Sequence, residues 1–289
     1  MSSNMNISER YLIKLGMSQD FVPNLDNLKL LFSRHLQRIP FGNVNSFIGD
    51  DVLIDSEKVA SKLLDQGREG YCLEQNRLTA VALQELGYNA FNVLARVYYQ
   101  HIPKEAPIRT HLITIVQLDD GQLFLFDPGF GGITPAQVLS LDLIGQTQQT
   151  PLEPYRFVPV NDTGLEKNAL TDMTYMLQAY VKDQWINLYA LNPERIVAES
   201  DIMIANWFIS TSPDSLFTQD LIFSIVDEAS RVNFRNGKIA TYSKNGVIKE
   251  QLKTRTEIQE ALKTKFKLNV ETIPFQKVMQ KLAQLGFTD

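Results

Sequence analysis

Residues 111–127, HLITIVQLDDGQLFLFD, predict a β-hairpin. Both halves are rich in β-branched and aromatic residues, and Asp120-Gly121 between them favours a tight hairpin turn. The same pattern continues in FNVLARVYYQ before the hairpin and in YRFVPV, TYMLQAYV and QWINLYAL after it. A run of short strands of this kind predicts an antiparallel barrel or a strongly curved sheet over residues 89–191.

The residues before this sheet, 1–88, have helical periodicity. One helix runs from about Leu25 and ends before Pro40, which cannot continue it. A second begins at Asp55 or Ser56 as N-cap and ends at Gly67. A third runs from about Cys72 to Leu86. The stretch therefore predicts a helical bundle.

The residues after the sheet, 192–289, mix both patterns. A helix is expected before Ser212-Pro213, and two strands turn at Asn236-Gly237. TEIQEALKTKF and FQKVMQKLAQL then predict two amphipathic helices. No flexible linker separates the three stretches, so we expect them to pack as one body.

Composition excludes several classes of protein. The 289 residues include 28 basic and 33 acidic side chains, a net charge of −5, which gives no electrostatic footprint for nucleic acid. One cysteine cannot form an internal disulfide. No basic and apolar leader begins the chain, and no apolar run is long enough for a bilayer. We therefore expect a cytoplasmic protein without a membrane partner.

The single cysteine, Cys72, is a candidate nucleophile because it opens a predicted helix. The positive end of the helix dipole stabilises a thiolate, and free N–H groups there can bind an oxyanion. The alternative is that a lone cysteine is simply a small buried hydrophobic residue. The position at a helix start does not decide between the two.

His111 and Asp127 are candidate partners for this thiol. Of the three histidines, His35 lies on an apolar helix face and His101 in a predicted loop, whereas His111 begins an apolar strand. If the hairpin forms, His111 and Asp127 end near the same edge of the sheet. Cysteine, histidine and aspartate would then form a thiol triad, although Asp127 before Pro-Gly could also be an ordinary turn residue. No two histidines have ligand spacing, which disfavours a metal site.

Five motifs in order resemble those of the arylamine N-acetyltransferases. The family's Arg-Gly-Gly-x-Cys-x-Glu-x-Asn is matched by REGYCLEQN at 68–76, and its Thr-His-apolar strand by THL at 110–112. DPGFG at 127–131 matches its Asp-x-Gly-Phe-Gly motif. IPFGN at 39–43 resembles Ile-Pro-Phe-Glu-Asn, and TSPDSLF at 211–217 resembles a Ser-Pro-x-Ser-x-Phe segment. The motifs span most of the chain.

The resemblance implies an α+β fold with a core like that of papain-type cysteine proteases. It implies an N-terminal helical bundle (1–88) that carries the nucleophile, a central β-barrel (89–191) with histidine and aspartate, and a C-terminal α/β lid (192–289). The implied enzyme of xenobiotic metabolism transfers acetyl from acetyl-CoA to an arylamine, arylhydrazine or arylhydroxylamine through a cysteine thioester. A monomer or homodimer without a metal is implied.

The resemblance also implies roles for individual residues. Cys72 would carry the acetyl group, His111 would move the proton and Asp127 would orient the imidazole. Two further groups would line the cleft or contact the substrate and CoA: Thr110 with Gly129, Phe130, Gly131 and Gly132, and Phe208 with Ser212 and Ser215.

The chain departs from the family pattern at three positions: Glu69 replaces a glycine, Gly42 replaces a glutamate, and Pro128 follows Asp127. We hypothesise that the carboxylate absent at 42 is supplied from 69, where it partners Arg68 or another buried cation, since an unpaired buried cation is costly. If Glu69 faced the cleft instead, its charge would weaken the thiol as a nucleophile. Pro128 removes one backbone N–H donor beside the aspartate.

Three alternatives share this scaffold. An amide synthase would use the same triad to release a carrier-bound acyl chain onto an aromatic amine. A thiol hydrolase would use water in place of the amine. A ligand-binding module would keep the fold and lack the chemistry.

Overall fold

The computed structural model describes residues 5–287. The N-terminal helices are α1 Ile7–Leu15, α2 Leu25–Arg38, α3 Val44–Ile48, α4 Ser56–Ala60, which continues as a π-helical turn Ser61–Asp65, and α5 Cys72–Glu85. The three predicted helices are confirmed. Asp55 is the N-cap of α4, where its carboxylate accepts from the backbone N–H groups of Glu57 and Lys58, both at 3.1 Å.

The central sheet has seven strands, and the predicted hairpin lies within it. The strands are β2 Asn89–Val97, β3 Arg109–Gln117, β4 Leu123–Phe126, β5 Leu139–Ser140, β6 Tyr155–Pro159, β7 Tyr175–Val181 and β8 Gln184–Leu191, in the order β5-β4-β3-β2-β8-β7-β6. Thr114 lies opposite Phe126 and Gln117 opposite Leu123, so β3 and β4 are antiparallel neighbours as predicted.

The sheet is a curled half-barrel, so the strongly curved sheet that the sequence pattern allowed is confirmed, and the full β-barrel that the resemblance implied is corrected. Its edge strand β5 is two residues long. The chain that follows β5 crosses to the other edge, where isolated bridges join Ile144 to Phe157 and Gln148 to Tyr155. The two edges are therefore linked through an irregular segment, and the hydrogen-bond ladder does not close.

A second sheet of five strands, in the order β1-β9-β10-β11-β12, belongs to the C-terminal part. The strands are β1 Phe41–Gly42, β9 Ile222–Val226, β10 Ser230–Arg235, β11 Lys238–Ser243 and β12 Gly246–Gln251, and the remaining helices are α6 Lys167–Leu170, α7 Glu199–Thr211, α8 Leu216–Gln219, α9 Arg255–Thr264 and α10 Phe275–Gln284. The turn at Asn236-Gly237 and the helices before and after this sheet are confirmed. Within residues 5–287, no helix is long and apolar enough to cross a membrane.

Strand β1 shows that the first 88 residues are not purely helical. Phe41 and Gly42 pair with Ser224 and Phe223 of β9, so the N-terminal part supplies the edge of the C-terminal sheet. The short strand follows Pro40 directly, where proline ends the helical stretch. This pairing brings the C-terminal sheet against the turn that precedes α5.

His35 is a buried core residue, as its helical position predicts. Its Nδ1 lies 2.8 Å from the hydroxyl of Tyr11, and its Nε2 hydrogen bonds to Oε1 of Gln75. The amide nitrogen of Gln75 donates to the carbonyls of Pro40 and Gly70, at 3.0 and 3.1 Å. Burial lowers the pKa of His35 to about 4, although the Gln75 hydrogen bond opposes that shift. A neutral imidazole thus supports the chain on both sides of the nucleophile turn.

The stability that His35 contributes should depend on pH. The folded ring resists protonation down to about pH 4, whereas the unfolded ring takes up a proton near pH 6.5. Its contribution is therefore present above pH 6.5 and lost as the pH falls. We expect the stability advantage of the wild type over His35→Gln, measured by urea unfolding, to shrink by about 2 kcal/mol between about pH 7 and about pH 5.

His101→Gln is the matched control, because it removes an imidazole that is exposed rather than buried. An advantage over His35→Gln that stays constant across this pH range would contradict the assignment of a buried neutral ring.

Candidate active site

Cys72 is the first residue of α5 and is almost fully buried, with 4% of its surface exposed. The preceding turn is fixed by Glu74, whose carboxylate accepts from the backbone N–H of Tyr71 at 3.1 Å and from the Lys62 ammonium at 2.6 Å. The thiol lies 3.6 Å from the carbonyl oxygen of Thr110 on β3. The helix start predicted for the cysteine is confirmed.

His111 joins this thiol to a carboxylate. Its Nε2 lies 2.8 Å from Oδ2 of Asp127, and both Asp127 and Cys72 act on the pKa of the ring. Because Nε2 is occupied by Asp127, Nδ1 is the nitrogen left to exchange a proton with the thiol. Burial alone would lower the pKa of His111, but Asp127 and Cys72 outweigh it and raise the pKa to about 10. The geometry therefore favours an imidazolium beside the sulfur at neutral pH.

Four donors hold the Asp127 carboxylate. Oδ1 accepts from the side-chain amide of Asn76 and the backbone N–H of Gly129, both at 3.0 Å. Oδ2 accepts from His111 and from the hydroxyl of Tyr189, both at 2.8 Å. Burial would raise the pKa of Asp127, but His111 and these hydrogen bonds outweigh it and lower the pKa. Gly129 thus supplies the donor that Pro128 lacks.

Asn76 is in turn held by a buried polar network on the sheet. The hydroxyl of Thr114 donates to the side-chain and backbone oxygens of Asn76, at 3.0 and 3.1 Å. The amide of Asn92 donates to the same backbone oxygen at 3.1 Å. Helix α5 and strands β2 and β3 are therefore locked together directly behind the aspartate.

The loop after Asp127 packs tightly against the nucleophile. A Cβ atom at Gly129 would lie 2.7 Å from the amide nitrogen of Asn76 and 2.9 Å from Cα of Cys72, so only glycine fits without displacement. The Phe130 ring meets the ring of His111 edge-on, at 5.0 Å between centroids. The glycines of this loop thus permit a close approach to the start of α5.

A cavity of about 890 Å³ opens onto Cys72 and His111. Six of the eight residues predicted to line the cleft or contact the substrate and CoA do line it: Thr110, Gly129, Phe130, Gly132, Phe208 and Ser215.

Gly131 and Ser212 are not among the lining residues. Gly131 takes a left-handed turn, with φ of 79°, and its carbonyl accepts from the hydroxyl of Ser224 at 3.3 Å, behind the wall. The hydroxyl of Ser212 accepts from the backbone N–H of Asp214 at 3.2 Å, within the turn after α7. Both residues shape the wall from outside the cavity.

Sequence reasoning missed the lining residues that tertiary packing brings in. Phe41, Tyr99 and Phe217 add aromatic surface, and the C-terminal sheet contributes polar and basic side chains, which are Asn233, Arg235, Lys238, Tyr242, Lys249 and Gln251. Phe41 belongs to the IPFGN motif, so the family pattern marked this residue but did not predict that it lines the cavity. The alternation of residues along the hairpin at Asn236-Gly237 predicts a row of polar side chains on one face of the sheet. It does not predict that a cavity lies beside that face.

Glu69 lies where the hypothesis about positions 42 and 69 requires. Its side chain is fully buried, and its two oxygens accept from Nη2 and Nε of Arg68, both at 3.1 Å. The Lys62 ammonium lies 3.9 Å from the same carboxylate. Burial would raise the pKa of Glu69, but Arg68 and Lys62 outweigh it and lower the pKa. Glu69 does not line the cavity, so it does not face the cleft.

Gly42 and Glu69 occupy complementary space. A Cβ atom at residue 42 would lie 2.6 Å from Cγ of Glu69 and 2.6 Å from the ring of Phe223. A glutamate at 42 is therefore incompatible with a glutamate at 69 in this packing.

Comparison with known proteins adds independent findings. The family model described as N-acetyltransferase matches residues 24–275. The arylamine N-acetyltransferase of Mycobacterium tuberculosis is 33% identical to the chain over 257 residues, which cover 87% of this chain and 85% of that protein. The solved arylamine N-acetyltransferase of Mycobacterium marinum is similar with a TM-score of 0.86 at 31% identity, over 96% of this chain and 98% of that one. Its complex with CoA matches over the same shares, with a TM-score of 0.85 and 31% identity.

The pair at 42 and 69 makes a prediction for stability. Glu69→Gln leaves the Arg68 guanidinium buried without its counter-charge, and we expect a loss of about 3–5 kcal/mol in the free energy of unfolding.

Gly42→Glu alone should also destabilise the protein, by overpacking. The double variant Gly42→Glu with Glu69→Gly should lose less than the sum of Gly42→Glu and Glu69→Gly measured singly, because it removes the clash with Glu69, though not the one with Phe223, and restores a carboxylate.

Glu57→Gln is the matched control, since this carboxylate pairs with Arg10 but is 67% exposed; it should cost under about 1 kcal/mol. Strictly additive losses in the double variant would show that the two positions do not exchange one carboxylate.

Proposed function

The chain belongs to the arylamine N-acetyltransferase family, and from that premise we propose that it transfers an acetyl group from acetyl-CoA to the nitrogen of an arylamine, arylhydrazine or arylhydroxylamine. The observation that carries the proposal is the convergence of Cys72, His111 and Asp127, of which Cys72 and His111 line one large cavity and Asp127 lies buried behind the histidine. These residues come from the start of α5, from β3 and from the end of β4, so the fold itself assembles them.

In the first half-reaction the Cys72 thiolate attacks the thioester carbonyl of acetyl-CoA. The first N–H groups of a helix have no partner within it, so those at the start of α5 can donate to the oxyanion. When the intermediate collapses, the bond to the CoA sulfur breaks and the His111 imidazolium gives its proton to that sulfur. The products are CoA, an acetyl thioester on Cys72 and a neutral His111.

In the second half-reaction the aromatic amine attacks the acetyl thioester. Neutral His111 takes a proton from the attacking nitrogen, and the bond between the acetyl carbon and the Cys72 sulfur breaks. The thiolate and the imidazolium are thereby regenerated, and the N-acetyl product leaves. Because CoA leaves before the amine reacts and the enzyme holds the acetyl group in between, the kinetics should be ping-pong.

Asp127 supports both halves by fixing one tautomer of His111. With the proton on Nε2 directed at the carboxylate, Nδ1 is free to exchange a proton with sulfur or nitrogen. The Tyr189 hydroxyl and the Asn76 amide keep the carboxylate from turning away. The same arrangement of a cysteine, a histidine and a polar third group occurs in papain-like proteases, and we infer a core of that kind.

The acceptor site should favour an aromatic ring. Phe130, which contacts His111 edge-on, and Tyr99 lie 6.2 Å apart between ring centroids. Phe208 and Phe217 face the same cavity from the C-terminal part of the chain. Aromatic side chains bind a flat ring by stacking or edge contacts, which suits the arylamines and arylhydrazines proposed here.

The test is whether CoA release depends on the amine. We expect steady release from acetyl-CoA only when an aromatic amine is present, with parallel lines in double-reciprocal plots. His111→Gln should lower the rate by about 10²–10⁴-fold, and Cys72→Ala should abolish it.

Two outcomes would contradict the transferase. Steady CoA release at the same rate without amine would indicate a thiol hydrolase. No release from acetyl-CoA with any simple arylamine would instead favour an amide synthase or a binding module.

A further inference from the structure

Three arginines converge on a single aspartate outside the catalytic cavity. Arg96 of β2 donates from Nε and Nη2 to Oδ1 of Asp172, at 3.4 and 3.2 Å. Arg109 of β3 and Arg195, in the loop after β8, both form ion pairs with Oδ2 of the same carboxylate. None of these four residues lines the cavity that opens onto Cys72.

A β-bulge turns this cluster away from the catalytic histidine. In the register of β2 and β3, Ala95 lies opposite His111. The next pair is Arg96 and Arg109, so Thr110 is an additional residue in β3. Since neighbouring residues in a strand point to opposite faces, Arg96 and Arg109 lie on the face of the sheet that is turned away from His111.

The cluster holds more positive than negative charge. In the part of the chain that the structure describes, Asp172 is the only carboxylate within ion-pair distance of the three arginines. Arg96 and Arg109 are also direct cross-strand neighbours, and like charges in that position destabilise a sheet. Burial lowers the pKa of Arg109, and Arg195 and Arg96 lower it further, although Asp201 of α7 opposes the shift. The repulsion between the three cations is therefore only partly compensated.

Unused donors remain at this cluster. The Nε–H group of Arg109 is buried and has no hydrogen-bond partner among the described residues. Arg195 is the most exposed of the three arginines, with 54% of its side chain accessible, against 24% for Arg109 and 17% for Arg96. Its Nη1 donates to Asp172, and its other N–H groups can donate to a ligand from solvent. The planar fork of arginine suits two oxygens of one anion.

We propose that Arg195 and Arg109, beside Arg96, form a second anion site that binds a phosphate dianion, either free or as a monoester. Its charge matches the cluster, in which three guanidinium groups face one carboxylate. A phosphate group carries about −1.5 to −2 at neutral pH and offers several acceptor oxygens. Asp172 is then an internal anion that holds the arginines together and competes with the ligand. The site goes beyond the proposed function, because it lies outside the cavity and takes no part in acetyl transfer.

The experiment is a calorimetric titration of the full chain with inorganic phosphate, without substrates and at constant ionic strength. We expect saturable binding by the wild type. The dissociation constant should be about 10-fold higher for Arg195→Gln, because charge-assisted hydrogen bonds are lost. A parallel titration with glycerol phosphate distinguishes the free ion from a monoester, since the natural class should bind more tightly. Acetate, a monoanion, should bind more weakly than either.

Two further variants separate this site from structural damage and from the cavity. Asp172→Asn removes the internal negative charge, so phosphate affinity should rise by about 10-fold, a gain that misfolding cannot produce. Arg235→Gln is the matched control, because this arginine is 62% exposed, pairs with the single carboxylate of Asp220 and lines the cavity. Its dissociation constant for phosphate should equal that of the wild type.

A wild type without saturable phosphate binding would overturn the second anion site, and so would an unchanged dissociation constant in Arg195→Gln. Equal weakening in Arg195→Gln and Arg235→Gln would overturn it too, because binding would then reflect overall charge. A lower affinity in Asp172→Asn would contradict it as well, since the carboxylate would not be a competitor of the ligand. These titrations involve no acetyl transfer, so their failure would leave the proposed function intact.

Discussion

The buried carboxylate of Asp127 is the interaction on which the rest of the site depends. A charge with 1% exposure is tolerated only when hydrogen bonds replace its water, and four donors do so here. They come from α5, β3, β8 and the loop after β4. Satisfying this one anion therefore fixes the mutual positions of the helix that bears Cys72 and the strand that bears His111.

A second set of buried charges holds the turn before the nucleophile. Arg68 pairs with Glu69 and also donates to the side-chain oxygen of Asn45 at 2.9 Å and to the carbonyl of Thr272 at 3.0 Å. The backbone N–H of Asn269 donates to the carbonyl of Gly67 at 3.0 Å. The segment between α9 and α10 is thus hydrogen bonded to the turn that presents the thiol. The C-terminal part of the chain is therefore coupled to the nucleophile through these contacts.

Local pattern was enough to predict the hairpin and the common edge shared by His111 and Asp127, because alternation and Asp-Gly turn chemistry are short-range signals. It also predicted the start of α5. Local pattern could not predict the hydrogen bond from the Tyr189 hydroxyl to Asp127, since these two residues are far apart in the sequence. The curl of the sheet, the approach that Gly129 permits and the inclusion of β1 in the C-terminal sheet depend equally on tertiary packing. The departure at Gly42 was visible in sequence, but its steric reason needed the position of Glu69.

The role of Cys72 as acetyl carrier is tested most directly by the intact mass of the protein after incubation with acetyl-CoA without any amine, beside Cys72→Ala. We expect a gain of one acetyl group, about 42 Da, on the wild type alone, and its loss when an arylamine is added. An unmodified wild type, or an equal gain on Cys72→Ala, would contradict the assignment of Cys72 as the acetyl carrier.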